Sequence, residues 1–175
     1  MTVAAVVLAA GEATRFGAPK QRLLLPGVLA RLAESPVDEV VVVGGAHELE
    51  EPPAGSLGIP TRLVPCAEWP SGPGASLRCG LAALGPAVEA AVVVLADGPD
   101  LSPAAVARVL DDWRAGGGIV AASYDGARGH PLVVGREDWG GVPDGGLHER
   151  PARLVPCNDL GAPGDIDRPE DVGSL

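Results

Sequence analysis

The chain has 175 residues, enough for one domain spanning 1–175 around a single sizeable core. Its formal net charge of −10 argues against a nucleic-acid partner, which would need a basic face, and its apolar runs fall well short of the roughly 20 residues of a membrane-spanning helix. Hydrophobic residues make up 46% of the chain and aromatics only 3%, so Val, Ala and Leu must fill the interior.

From the N-terminus, a buried-looking strand at 3–9 runs into a glycine turn at Gly11, and Arg15, Lys20 and Arg22 follow within a dozen residues. Such a turn can offer unpaired N–H groups and cations to a polyanion over the end of a sheet. The spacing excludes two common phosphate loops. Five residues separate Gly11 from Gly17, one too many for a Walker A loop, and Ala13 and Phe16 stand where a dinucleotide fingerprint needs glycine. Further strand-like runs follow at 39–43, 61–64, 91–96, 118–123, 131–134 and 153–155. Val40–Val43 and Val92–Leu95 are continuous rather than alternating, the pattern of strands buried on both faces in a parallel sheet. Helices are expected over 76–84, with Leu77, Leu81 and Leu84 on one face, and over 102–113, with Ser102 as cap and Pro103 in the first turn. This alternation predicts a doubly wound α/β sheet.

The stretches 51–60, 67–75 and 140–151 read as loops; the last is either a mobile flap on the acceptor side or a disordered surface loop. Cys66, Cys79 and Cys157 are widely spaced and lack a C-x-x-C pair, so they read as small buried residues or incidental thiols in a reducing compartment. No signal-peptide pattern precedes the first strand, and a cytoplasmic protein is the expectation.

Two acidic segments could hold a metal. Asp97 and Asp100 follow the strongest apolar strand, where ligands of open α/β sheets collect and where a carboxylate suits a hard divalent ion. The competing reading makes both turn or helix caps. Asp165-Ile166-Asp167 points two carboxylates to one side of an extended segment, as half a metal site or as a helix entry with Asp167 as cap.

The loop Leu8-Ala9-Ala10-Gly11-x3-Arg15-Phe16-Gly17-x2-Lys20-x2-Leu23-Leu24 resembles the signature of nucleotidyltransferases with a Rossmann-like, GT-A-like fold. Within them it is most similar to the MobA-like group, in its molybdenum cofactor cytidylyltransferase branch. The resemblance implies a mostly parallel sheet flanked by helices, Mg²⁺ as cofactor, and transfer of a nucleoside monophosphate to a phosphorylated acceptor of the molybdopterin type. It places the nucleotide on Leu8, Ala9, Ala10, Gly11, Glu12, Arg15, Lys20, Gly74, Ser76 and Asp97, with Arg15, Lys20 and Asp97 catalytic. Asp97 and Asp167 would bind the metal, Asp100 would be structural, and His130 of Gly129-His130-Pro131 would face the acceptor. Leu-Ala-Ala-Gly, where guanylyltransferases carry Leu-Ala-Gly-Gly, favours CTP over GTP through Ala10. A molybdoenzyme or its chaperone is the implied protein partner. The other readings are a nucleotidyltransferase acting on a phosphosugar or other small phosphate, and a non-catalytic nucleotide-binding accessory protein of molybdoenzymes. Three departures stand out: Gly98 replaces the branch's usual Gln, residues 26–31 are shorter than the stretch that normally follows the lysine, and residues 140–160 do not match the family's helix.

Overall fold

A computed structural model describes residues 1–12, 20–53 and 55–164. Seven strands form one sheet among them: β1 (Thr2–Leu8), β2 (Glu39–Gly44), β3 (Thr61–Pro65), β4 (Val88–Leu95), β5 (Ile119–Tyr124), β6 (Ala127–Gly135) and β7 (Arg153–Pro156). Their order is β3-β2-β1-β4-β6-β5-β7. All seven coincide with the apolar runs of the sequence. The sheet is mostly parallel as expected, but β6 runs antiparallel to both β4 and β5. Continuous burial of Leu132, Val133 and Val134 reports two covered faces, and covered faces do not fix direction.

Helices α1 (Lys20–Ala33) and α3 (Pro103–Gly116) cover one face and α2 (Pro73–Ala82) the other. Alternate β1 residues divide between them. Val3, Ala5 and Val7 pack with Leu25, Val28, Leu29, Val106 and Leu110, while Ala4 and Val6 meet Leu77 and Leu81. Each fully buried Leu or Val contributes on the order of 1.5–3 kcal/mol relative to exposure. Helix α3 starts as predicted: Ser102 Oγ accepts from the Ala105 N–H, and Pro103 stands at the first turn. Helix α2 begins at Pro73, three residues before its expected start. It presses so closely on the sheet that a Cβ on Gly80 would lie 2.5 Å from Val6 Cγ1. Residues 26–31 form the body of α1, Pro26 included.

The expected loop at 140–151 has a definite course. Val142 and Leu147 are buried, a single 3₁₀ turn covers Leu147–Glu149, and Arg78 of α2 donates to Val142 O and pairs with Asp144. It is a strap held on α2. The cysteine reading needs correcting: Cys66, just past β3, is disulfide-bonded to Cys79 of α2, whereas Cys157 is a buried free thiol. No helix among the described residues is long and apolar enough to cross a membrane.

Candidate active site

Strands β1 and β4 are parallel neighbours with Leu8 opposite Leu95, so the chain leaves both at the same edge of the sheet. The turn after β1 is stitched to its surroundings. Ala9 N–H donates to Val43 O, Ala46 N–H to Ala10 O, and Gln21 Nε2 to Gly11 O. His47 Nε2 lies 2.8 Å from Glu12 O, so His47, isolated in the sequence, belongs to this loop. Gly11 and Glu12 are exposed, and no acceptor among the described residues takes their N–H groups. Ala10 is buried against Gly45: a Cβ there would lie 2.8 Å from Ala10 Cβ and 2.6 Å from Trp69 Cγ. The half-buried Trp69 thus shares a small volume with the residue from which base choice was read.

Lys20 opens α1, and its Nζ lies 2.9 Å from Asp97 Oδ2 at the end of β4, with side chains 10% and 24% exposed. The sequence gives Asp97 no adjacent cation; the fold brings one from a distant loop. Such a sheltered pair interacts more strongly than a surface ion pair and holds both groups ready at one point. Asp97 keeps a partly exposed carboxylate. One carboxylate with substrate phosphates is an adequate donor set for a hard divalent ion, so the residues present fit a metal. Among the described residues no group of three His, Cys, Asp or Glu side chains could hold an ion alone. Arg15 and Asp167 lie outside the described residues. Asp100 donates its N–H to Pro163 O, which lays residues 161–164 along the end of β4. There a Cβ on Gly98 would come 3.0 Å from Pro163 Cβ, so the space a Gln side chain would need is taken.

The turn into α2 carries Gly74 and Ser76, both buried. Gly74 N–H donates to Asp144 O at 2.9 Å, and the Ala75 and Ser76 N–H groups turn to Gly72 O. A Cβ on Gly74 would fall 1.7 Å from Pro143 O. Glycine at this position lets the strap cross the helix start, and the strap uses the donor that a free helix start would offer an anion.

His130 lies within β6, not ahead of it, between two cavities at the same edge of the sheet. The strap-side cavity, about 320 Å³, is walled by Leu8, Leu77, Leu132 and Leu147 with His148 at its rim. The other, about 440 Å³, lies against Gly98, Leu101, Tyr124 and Pro163. Tyr124 Oη donates to His130 O at 3.0 Å. Burial pushes the imidazole down to about 4; Asp97 opposes this and Arg128 adds to it. His130 is therefore neutral at pH 7, and it lines the same cavity as Leu95 and Gly98, which stand on either side of Asp97 in the chain. Sequence reasoning missed Arg128, which lines both cavities, and missed the strap; the run Arg128-Gly129-His130-Pro131 was the available signal for the arginine.

A family model described as a MobA-like NTP transferase domain matches residues 5–153. No curated protein sequence matches the chain. Among solved structures, a homologue of Mycobacterium tuberculosis Rv0371c from Mycobacterium sp. strain JC1 is 27% identical with a TM-score of 0.76, over 99% of this chain and 94% of that one. Rv0371c of M. tuberculosis H37Rv in complex with manganese is also 27% identical, with a TM-score of 0.73, over 100% and 98%. A nucleotidyl transferase from Methanothermobacter, 23% identical with a TM-score of 0.70 over 99% and 95%, shares the fold.

Proposed function

Because the chain belongs to the MobA-like NTP transferase domain family, we propose that it transfers CMP from CTP to a phosphorylated acceptor of the molybdopterin type and releases pyrophosphate. The observation that carries this reading is the Lys20–Asp97 pair near the exposed turn at Gly11 and Glu12. It brings a cation suited to phosphate and a carboxylate suited to a divalent ion together at the carboxyl ends of the strands, where ligands of open α/β sheets collect.

In this mechanism a phosphate oxygen of the acceptor attacks the α-phosphorus of CTP. The new P–O bond forms as the bond to the β-phosphate oxygen breaks, and pyrophosphate departs. A phosphate nucleophile is already ionised at pH 7, so positioning and charge neutralisation do most of the work. The Gly11 and Glu12 N–H groups, with Arg15, hold the β- and γ-phosphates. Lys20 turns from Asp97 to the α-phosphoryl oxygens, where charge accumulates in the transition state. Asp97 and Asp167 would hold Mg²⁺, which when bound would supply further neutralisation of the phosphates. Leu8, Ala9 and Ala10 line the base side, with the Gly74–Ser76 turn as its wall. His130 meets the acceptor as a neutral hydrogen-bonding group. Retention of both Lys20 and Asp97 favours an enzyme over a non-catalytic accessory protein. The product would be handed to a molybdoenzyme or its chaperone in the cytoplasm.

The test is pyrophosphate release with purified molybdopterin-type acceptor, Mg²⁺ and each triphosphate in turn. Release that needs both acceptor and CTP supports the reading. Equal release with GTP overturns the base assignment, and none with any triphosphate overturns transfer to this acceptor.

A further inference from the structure

Most described arginines of this acidic chain have a carboxylate in place: Arg62 pairs with Glu39, Arg78 with Asp144, Arg108 with Asp159, Arg150 with Asp138 and Arg153 with Asp112. Arg128 differs. It stands on β6 two residues before His130, only partly exposed, and lines both cavities. Its Nη1 donates to Arg150 O at 2.8 Å, while its Nη2 is closed to solvent and has no acceptor among the described residues. No described carboxylate pairs with it. A guanidinium cannot shed its charge, so sheltering it beside leucine walls with one carbonyl for company is unfavourable unless an anion arrives.

We infer that Arg128 is the anion anchor of the acceptor site: it binds the acceptor's phosphate where the two cavities meet, and the remainder of the acceptor lies in the cavity lined by Leu77, Leu132, Leu147 and His148. This deepens the proposed transfer reaction and rests on it. Turning the guanidinium about its last torsions gives Nη2 the oxygen that the protein withholds, and the planar fork can then grip the phosphate through two nitrogens. Anchoring the nucleophilic phosphate here sets it on the Asp97 side of the sheet edge, across from the β1 turn that holds the triphosphate.

Phenyl phosphate is the probe, with phenol as its uncharged counterpart. Calorimetric titrations use the wild-type chain, Arg128→Gln and Arg128→Lys, and each protein is separately titrated with CTP and Mg²⁺. The wild type should bind phenyl phosphate and not phenol. Arg128→Gln should weaken phenyl phosphate at least about tenfold, as expected for a lost charge-assisted pair, with CTP affinity within about twofold. Arg128→Lys should weaken it several-fold, because charge is kept and the fork is lost. Equal affinity in wild type and Arg128→Gln overturns the inference, as does failure of the wild type to bind phenyl phosphate. Should the Gln variant not fold, the Lys variant decides, and an unchanged affinity there is contrary. If wild type binds no CTP, the nucleotide reading fails while the arginine dependence of phenyl phosphate binding still decides the anchor.

Discussion

Lys20 and Asp97 were each legible in the sequence, one as a cation following a glycine turn and the other as a carboxylate ending a strand. Their 2.9 Å pairing was not, because it depends on β1 and β4 lying side by side and no local pattern records which strands adjoin. The pair has a direct consequence. If Lys20 leaves Asp97 for the α-phosphoryl group in the transition state, Lys20→Ala should lower kcat by on the order of 10²–10³ and weaken CTP binding far less. Steady-state kinetics beside a binding titration separate the two effects, and turnover within a few-fold of wild type would make Lys20 only the partner of Asp97. His130 gives a pH signature. Its folded-state value of about 4 lies below its ordinary 6.5, so the unfolded chain takes up the proton first as pH falls. Its contribution to stability is full above about 6.5 and is lost progressively as pH falls toward 4. Urea midpoints between pH 7 and 4 should therefore decline less steeply in His130→Gln than in wild type.

The elements were the most readable level. Apolar runs located all seven strands, and the Ser102-Pro103 start of α3 was plain from capping chemistry. The direction of β6 was missed, although Asp125-Gly126, both at positive φ, is a two-residue hairpin turn that reverses the chain between β5 and β6. The strap was illegible for another reason: the glycines and prolines of 140–151 say that the backbone turns, but the contacts that fix its course belong to Arg78 and Gly74, far off in sequence. Close approach also governs α2. A Cβ on Gly80 would meet Val6 and Val43 at 2.5 and 2.9 Å, whereas one on Gly85 meets nothing within 4 Å. Gly80→Ala should thus destabilise by about 1–3 kcal/mol through overpacking, and Gly85→Ala should change little. Denaturant unfolding of the two variants checks this, and equal midpoints would mean that α2 can lift off the sheet without loss.

At the scale of the molecule, two of the described helices cover one face of the sheet and one the other, and α2, β3 and the strap are tied together. The Cys66–Cys79 disulfide, spanning 13 positions, closes that tie, and spacing alone gave no hint of it. A loop of this size is expected to contribute about 3 kcal/mol by restricting the unfolded chain. Dithiothreitol should therefore lower the thermal midpoint of wild type and leave a Cys66→Ala/Cys79→Ala double variant unmoved; a midpoint insensitive to reductant would argue against the bond. With its net charge of −10 the molecule as a whole repels polyanions, so in the proposed reaction triphosphate binding would rest on the local donors and a metal. The most direct test of the central claim is a calorimetric titration of the wild-type chain with CTP and with GTP in the presence of Mg²⁺. The account predicts one saturable site that takes CTP more tightly than GTP, and heat of dilution alone for both nucleotides would contradict it.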